Sequence, residues 1–310
     1  MEPRDVEAVH EVTILAFEGL NRRFGQPPDP RPALATARIR FERCLATDPG
    51  GAWVAERPAD RDRATVPRTA DRDRLVGRDA DRDRVGAAAG GWELVGCSLG
   101  IVRDGVWGLS LLVVRPEAQS SGVGRELLAR AHAHGDGARG RIVLASPDPR
   151  ALRAYANLGL ALHPAVAARG RARPLVAPPD VRPGTHSDLA LTAAVDRAVR
   201  GAAHGDDIVA FMAAGCELLV LDDRGYAVVR DGAVKLLAAH DEDAAATLLR
   251  AALAAAAGKD AAVEWITGAQ PWAIRPCLDA GLELRFDIGA VFLDGDVGPF
   301  APYLPSGAYL

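Results

Sequence analysis

The fold is decided by residues 113–125, which read VVRPEAQSSGVGR. The first two residues close an apolar run that begins at Leu109 and is long enough for a strand buried on both faces of a sheet. Pro116 ends that strand, and Gly122 and Gly124 remove side chains where the backbone turns into a helix. The sequence therefore predicts a central strand, a glycine-rich turn and a helix in direct succession.

The turn between this strand and this helix has the features of an anion site. Bare amides at a helix N-terminus bind anions through hydrogen bonds and the helix dipole. Ser120 and Ser121 add hydroxyl groups, and Arg125 adds a positive charge. No Gly-Lys-Ser/Thr follows, and one glycine is missing from the dinucleotide fingerprint. We expect a phosphate or pyrophosphate ligand here, the alternative being a turn that only connects strand and helix.

The segments around this stretch alternate between helix and strand patterns. Asp104-Gly105 is a hairpin signal between two predicted strands. Helices are predicted over residues 5–20, 32–45, 122–134 and 149–158, and strands over residues 51–56, 92–103, 106–115 and 141–145. The predicted fold class is α/β (α+β), with a mixed, mostly antiparallel sheet flanked by helices.

Residues 57–86 interrupt this pattern. They contain almost only Arg, Asp, Ala and turn formers, and the pentapeptide ADRDR begins at Ala59, Ala70 and Ala80. Because so little apolar surface cannot offset the entropy of ordering, we predict that the segment is disordered. It is either a tolerated insertion between two strands or an interaction segment.

The composition argues against several classes of protein. The 310 residues are 49% apolar and carry a net charge of −4, which gives no electrostatic footprint for nucleic acid or an anionic membrane. The four cysteines lie far apart without a Cys/His cluster, so neither a metal site nor a disulfide framework is indicated. The charged first residues are unlike a secretion signal, and no apolar run is long enough to span a membrane. We expect a cytoplasmic protein with no metal, no nucleic-acid partner and no membrane partner.

The second half of the chain repeats the first. Residues 102–105 (VRDG) return at 229–232, and the pattern of residues 151–160 returns 122 residues later. A proline-rich stretch at 174–183 separates the two copies, so we predict domains over residues 1–178 and 179–310. The glycine-rich turn is replaced in the second copy by HDEDAA at 240–245, whose acidic side chains would repel a phosphate.

With these motifs the sequence resembles the GNAT superfamily of acyl-CoA-dependent N-acyltransferases. The family signature is a V-x-P strand end followed by R/Q-x-x-G-x-G/A, which here reads VRP at 114–116 and QSSGVG at 119–124. A second family motif, roughly N-x-x-A-x-x-x-Y-x-x-x-G-F, corresponds to DPRALRAYANLGL at 148–160. Together with the degenerate second copy, the resemblance implies two tandem GNAT-like domains.

The resemblance also implies an acyltransferase that moves an acetyl group from acetyl-CoA, its co-substrate, to a primary amine by direct attack in a ternary complex. The pyrophosphate would lie on residues 119–125 and the pantetheine arm along residues 112–114. Tyr155 stands where the family has a tyrosine that protonates the departing thiolate, and the second copy has Cys277 there. The residues implied to contact the co-substrate are Leu112, Val113, Val114, Gln119, Ser120, Ser121, Gly122, Val123, Gly124 and Arg125.

Two departures from the family pattern leave a second interpretation open. Asp148 replaces the usual Asn that contacts pantetheine, and the strand residues 107–110 (WGLS) include no Glu in the usual general-base region. The alternative is therefore a non-catalytic acyl-CoA or small-molecule binding protein on the same scaffold. For the enzyme, the acceptor would be a small-molecule amine, a peptide N-terminus or a lysine side chain, and a homodimer is one option.

Overall fold

The computed structural model describes residues 1–26, 31–58, 74–76 and 91–310. These residues form two compact units, residues 1–101 with 109–136 and residues 102–108 with 137–310. Most of the segment predicted to be disordered, 57–86, lies outside the described residues; residues 57–58 end a strand and residues 74–76 form a short one. The domain boundary between residues 178 and 179 stays a prediction.

The first unit combines helices with part of one sheet. In the sheet order β2, β1, β3 and β4 are neighbours, and β1 pairs antiparallel with both β2 and β3. Periodicity predicted all of these elements except β2, which falls within residues 57–86. The elements, of which β3 and β4 extend into the second unit, are α1 (Val6–Arg23), α2 (Leu34–Thr47), β1 (Ala52–Pro58), β2 (Arg74–Val76), β3 (Trp92–Arg103), β4 (Val106–Val114) and α3 (Val123–Ala133).

A glycine in β3 allows α3 to lie close to the sheet. A Cβ atom at Gly96 would lie 2.9 Å from Leu127 Cδ1 and 3.3 Å from Val123 Cγ1. The buried hydroxyl of Ser98 donates a hydrogen bond to the main-chain oxygen of Leu127 at 3.0 Å. The apolar face of α3 therefore fixes the helix on the sheet directly after the glycine-rich turn.

The second unit contains the remaining strands and helices. One sheet has the order β13-β7-β12-β11-β10-β9-β8. The strands β5, β14 and β6 lie side by side in the sheet that also contains β4. The elements are β5 (Gly140–Ala145), α4 (Pro149–Asn157), β6 (Ala161–Pro164), β7 (Val166–Arg171), β8 (Val181–Pro183), α5 (Leu189–Arg200), α6 (Asp206–Ala213), β9 (Glu217–Leu221), β10 (Gly225–Arg230), β11 (Ala233–Ala239), α7 (Glu242–Ala255), β12 (Asp260–Ile266), α8 (Ile274–Asp279), β13 (Glu283–Arg285), β14 (Ala290–Gly295) and β15 (Tyr303–Leu304).

Each sheet is mostly antiparallel and includes one parallel pair at the same place in each sequence copy. β4 pairs parallel with β5 from Val106–Gly140 to Gly108–Ile142, and β11 pairs parallel with β12 at Ala233–Ala262. The predicted fold class, with mixed, mostly antiparallel sheets flanked by helices, is confirmed.

Each sequence copy contributes one strand to the sheet of the other. Phe292 on β14 pairs with both Val143 on β5 and Leu162 on β6, so that β14 lies between two strands of the first copy. In the same way β7 lies between β12 and β13 of the second copy. Neither copy therefore completes its own sheet.

A buried polar cluster lies between α5 and the end of the chain. His204 Nδ1 is 2.9 Å from Asp196 Oδ2, and its Nε2 is 2.8 Å from the main-chain oxygen of Leu310. The hydroxyl of Tyr226 donates to Asp196 Oδ1, and that of Tyr303 donates to the Leu310 oxygen. Burial by itself raises the pKa of Asp196, but the His204 imidazole and the nearby Arg200 outweigh it and hold that pKa below its ordinary value.

The exchanged strand gives a stability prediction. Phe292 is fully buried, with its ring centroid 5.6 Å from that of Tyr155, whereas Phe286 is 77% exposed. Phe292→Ala should lower the free energy of unfolding by about 3–5 kcal/mol, because it leaves a cavity between exchanged strands. The matched control Phe286→Ala should change it by less than about 0.5 kcal/mol. Urea unfolding of both variants measures this, and equal effects would contradict the exchange.

The buried cluster gives a pH prediction. Because the folded-state pKa of Asp196 is lowered, the carboxylate contributes stability above its unfolded pKa of about 3.9, and that contribution is lost as the pH falls further. Asp196→Asn should therefore destabilise the protein strongly at pH 7, with a difference from the native chain that shrinks below about pH 4. Urea unfolding across this range is the measurement. The exposed Asp231→Asn serves as control, and a difference independent of pH would disprove the assignment.

Candidate functional site

The turn after β4 is closed by its own polar side chains. Gln119 Nε2 donates to the main-chain oxygen of Val114 at 3.0 Å, and the hydroxyl of Ser121 donates to that of Ala118 at 2.7 Å. Ser120 has a φ of 64°, a left-handed conformation that is uncommon for a residue with a side chain. These bonds hold the main chain of residues 119–122 in one conformation.

Gly122 and Gly124 serve different purposes at the start of α3. Gly122, which precedes the helix, has a φ of 104° that disfavours any L residue. A Cβ atom at Gly124 would meet only Val114 Cγ2, at an ordinary 3.5 Å, so packing does not require a glycine there. The absence of a side chain at Gly124 instead leaves the first turn of the helix accessible.

The first amides of α3 are arranged for an acceptor outside the helix. The amides of Arg125 and Glu126 both donate to the main-chain oxygen of Gly122, at 3.0 and 3.1 Å. Those of Val123 and Gly124 meet no acceptor among the described residues, as expected for the first turn of a helix. The helix dipole adds partial positive charge at this point, and the side chain of Arg125 is exposed beside it. The arrangement suits an anion.

The main-chain groups of β4 divide between its two edges. The amide of Arg115 donates to Val95 on β3 at 2.8 Å, so the odd-numbered residues face β3 and the even-numbered residues face away. On the edge facing away, the oxygen of Val114 is bonded to Gln119, and the oxygen of Ser110 accepts from the Arg40 guanidinium. Side-chain donors therefore occupy the carbonyl groups at both ends of this edge.

Between those two carbonyl groups the edge is open. No turn, loop or side chain among the described residues is seen to bond to the N–H and C=O of Leu112 or to the N–H of Val114, and the parallel pairing of β4 with β5 extends only to Gly108. In order along the strand these groups are a donor, an acceptor and a donor. An extended ligand with amide groups could pair with them as an added strand does.

Glu93 and Arg115 form an ion-pair network near this turn. Arg115 Nη1 is 2.7 Å from Glu93 Oε1, and Arg57 Nη2 is 3.2 Å from Glu93 Oε2. Both oxygens of the Glu93 carboxylate are thus held by guanidinium groups. The contacts of Glu93 are therefore those of an ion-paired carboxylate, and not those of a general base.

Tyr155 lies in the other compact unit, on α4. Its side chain is buried and meets the Phe292 ring edge to face. Burial, together with the negative charge of Asp148, raises the pKa of the phenol well above its ordinary value, so the group keeps its proton. Asp148 itself caps α4: its Oδ1 accepts from the amide of Arg150 at 2.9 Å, and the Arg150 guanidinium pairs with the same carboxylate.

Comparison with known proteins identifies the fold. Residues 51–160 match the model of the acetyltransferase (GNAT) family. This part of the chain is therefore similar to that family. No curated protein matches the sequence significantly. The match supports acyl-CoA-dependent acetyl transfer in general.

Solved structures extend the likeness over the whole chain. A Pyrococcus horikoshii protein classed as an acetyltransferase superposes with a TM-score of 0.72 at 16% identity, covering 100% of this chain and 94% of that one. A GCN5-related N-acetyltransferase from Sphaerobacter thermophilus gives 0.53 at 12% identity, covering 96% and 94%. A tandem GNAT protein from the clavulanic acid biosynthesis pathway gives 0.50 at 13%, covering 96% and 97%. At these identities the likeness concerns the fold, and the predicted tandem GNAT architecture is confirmed. Within the described residues no helix is both long and apolar enough to cross a membrane.

In the degenerate GNAT copy the chain itself fills the features that are open in the first. Asp241 precedes α7, and its Oδ1 accepts from the amide of Ala244 at 2.8 Å while Arg224 pairs with the same carboxylate. On β11 the strand edge pairs with β15, Leu237 with Leu304 and Ala238 with Tyr303. A carboxylate thus stands at the helix N-terminus, and a peptide strand stands at the sheet edge.

Sequence reasoning missed several residues of the GNAT domain. Arg40 fell within the helix predicted over residues 32–45, and Gly96 within the strand predicted over residues 92–103, and neither was singled out as a site residue. His134 was not singled out as one either, and its Nε2 lies 3.1 Å from Asp48 Oδ1. Glycine inside an apolar strand is a signal for a close approach and could have indicated Gly96. No local signal indicates that Arg40 contacts β4.

Proposed function

We propose that this protein transfers an acetyl group from acetyl-CoA to a primary amine by direct attack in a ternary complex. The observation that carries the proposal is the combination, in one unit, of open amides at the N-terminus of α3 with an open donor–acceptor–donor edge on β4. A diphosphate attached to an arm with two amide groups complements both features.

The diphosphate is proposed to lie on residues 119–125. The amides of Val123 and Gly124 would donate to its oxygens, and the dipole of α3 and the charge of Arg125 would stabilise its negative charge. We propose that Gln119 and Ser121 contribute to this site through the turn, within which their side chains bond. Their proposed part in binding is to hold the main chain of the turn in place. Ser120 is exposed beside the same amides.

The pantetheine arm is proposed to pair with residues 112–114. Its carbonyl groups would accept from the amides of Leu112 and Val114, and an N–H would donate to the Leu112 oxygen, while Val113 faces β3. Because the diphosphate lies beyond the C-terminal end of β4, the arm extends along the strand towards Ser110. The thioester is therefore at the Ser110 end of the edge.

Holding both substrates together accounts for most of the proposed rate gain. The neutral amine attacks the thioester carbonyl, the new C–N bond forms and the C–S bond breaks. The proton that the amine nitrogen loses passes through water to the departing thiolate, so that CoA leaves as the thiol. Tyr155 is proposed to donate a hydrogen bond to that thiolate, whose ordinary pKa of about 8.5 makes it a weaker base than a phenolate. No metal takes part in the proposed reaction.

The acceptor is proposed to be an amine on a small molecule, a peptide N-terminus or a lysine side chain. Acetyl-CoA is the proposed co-substrate, the cytoplasm the proposed location and a homodimer a proposed assembly.

One observation favours a second candidate function, a non-catalytic acyl-CoA binding protein. Ser110 stands on β4 where a carboxylate base would be useful, Asp148 is committed to capping α4, and Glu93 is held by two guanidinium groups. Turnover separates the two candidates: tight binding without CoA release on any of a panel of amines favours the binding protein.

Binding at the N-terminus of α3 is tested by Gly124→Asp. A carboxylate in the first turn of α3 should place a negative charge beside the open amides and should repel the diphosphate. We expect the affinity for acetyl-CoA to fall on the order of a hundredfold, which corresponds to about 2.7 kcal/mol. The melting temperature should not fall, because an acidic residue in the first turn favours the helix.

Gly124→Ala is the matched control, since its methyl group has room beside Val114. It should keep the affinity within about threefold when both variants are measured by isothermal titration calorimetry. If Gly124→Asp binds acetyl-CoA as tightly as the native chain, the proposed diphosphate site is wrong.

The role of Tyr155 is tested by Tyr155→Phe. Loss of the hydroxyl should lower kcat roughly a hundredfold while leaving the affinity for acetyl-CoA unchanged. Cys277→Ala, at the equivalent and fully buried position of the second copy, should leave kcat unchanged. Steady-state CoA release with the best amine of the panel gives both values. Equal kcat for Tyr155→Phe and the native chain would remove Tyr155 from the mechanism.

A further inference from the structure

Arg40 reaches from α2 to the edge of β4. Its Nη2 donates to both the main-chain oxygen and the hydroxyl of Ser110, the latter at 2.8 Å, and its Nε is 3.3 Å from the same hydroxyl. Two nitrogens of one guanidinium group thus hold one residue of the strand. The bond joins residues that are 70 positions apart in sequence.

The carbonyl group of Ser110 needs such a donor. Ser110 is 5% exposed and faces away from β3, and the pairing of β4 with β5 has already ended at Gly108. A buried main-chain oxygen without a hydrogen bond is strongly disfavoured. Arg40 supplies from a side chain the bond that a neighbouring strand would otherwise supply.

In the second copy a neighbouring strand lies beside the equivalent residue. Counted from the hairpin glycines Gly105 and Gly232, Ser110 corresponds to Leu237. Leu237 pairs with Leu304, so that a strand continues through this position on β11. On β4 a side chain closes it instead.

The position of this contact relative to the proposed ligand follows from strand geometry. Ser110 is the next residue on the open edge after Leu112, roughly 7 Å along the strand at ~3.3 Å per residue. It lies on the side away from the diphosphate, where the proposed function puts the thioester. Gln119 ends the open edge at one side and Arg40 ends it at the other.

We propose that Arg40 is a positioning residue that sets where the thioester of the bound acyl carrier stops along β4. Because the Arg40 guanidinium stands against the Ser110 carbonyl, it keeps the last N–H of the carrier arm from reaching that acceptor. The arm leaves the edge there, and the thioester carbonyl is presented to the amine. The inference rests on the proposed function and names the residue that fixes the register of its co-substrate.

The test measures the position of the thioester carbonyl separately from the affinity for acetyl-CoA. Arg40→Ala removes the guanidinium donor from the Ser110 carbonyl, Arg40→Gln keeps a neutral donor, and Arg40→Lys keeps a charged one. The affinity for acetyl-CoA is measured by calorimetry, the environment of the bound thioester by the 13C resonance of [1-13C]acetyl-CoA, and kcat by CoA release with the best amine of a panel. Arg38→Ala, on the exposed side of the same helix and paired with Glu42, is the matched control.

For Arg40→Ala we expect affinity within about threefold of the native value, a shifted carbonyl resonance and a kcat at least tenfold lower. Arg40→Lys and Arg40→Gln should recover part of both losses, and Arg38→Ala should change none of the three values. These conservative variants also give a result if Arg40→Ala does not fold.

Three outcomes would overturn the inference. One is an unchanged carbonyl resonance and kcat in all Arg40 variants, and another is a loss of thermal stability with no change in either. The third is a fall in affinity as large as the fall in kcat, which would make Arg40 a binding residue. If the native chain does not bind acetyl-CoA at all, the proposed function fails first; binding by the native chain with silent Arg40 variants rejects only the inference.

Discussion

The pairing between β4 and β5 ends at Gly108, and the main-chain groups of β4 beyond that point must find other hydrogen-bond partners. A buried strand cannot leave its polar groups without partners, so the way in which this edge is completed determines what the molecule can bind. In the first copy, side chains of Arg40 and Gln119 close the two ends of the edge and leave the centre open. In the second copy β15 pairs along the equivalent edge of β11. The same architecture thus has one open edge and one filled by its own chain.

The helix that follows each of these strands shows the same difference. Gly122 and Gly124 keep side chains away from the first turn of α3, whereas Asp241 places a carboxylate on the first turn of α7. A helix N-terminus requires an acceptor for its amides, and a carboxylate of the chain satisfies this requirement as well as a ligand does. The second copy therefore has an internal substitute for each part of the proposed co-substrate, an anion at the helix and a strand at the edge. It also contributes β14, which lies between β5 and β6.

The exchange of β7 and β14 makes each copy part of the sheet of the other. A sheet that lacks a strand between two others leaves two unpaired edges, and each copy would have this defect without the other. Tyr155 illustrates the consequence for the site, because the ring against which it packs, Phe292, belongs to the second copy. The proposed acid of the first copy is therefore oriented by the second.

Local patterns in the sequence were sufficient to predict the turn at residues 113–125, the hairpin at Asp104-Gly105, the repeat and most helices and strands of the first unit. These features depend on neighbouring residues, whose spacing sets whether a segment forms a strand, a turn or a helix. The residues of the proposed diphosphate site were also evident from sequence, although Gln119 and Ser121 bond within the turn instead of facing outwards.

Only the tertiary structure decided that Arg40 holds Ser110, that β7 and β14 are exchanged and that β15 fills the second edge. Each of these contacts joins residues far apart in the chain. Each also supplies a main-chain group with a hydrogen-bond partner that a different segment could have supplied. A main-chain carbonyl accepts equally from a guanidinium, a strand or a ligand. The choice among them is made by which segment lies beside it in the folded chain, and spacing along the sequence does not encode that.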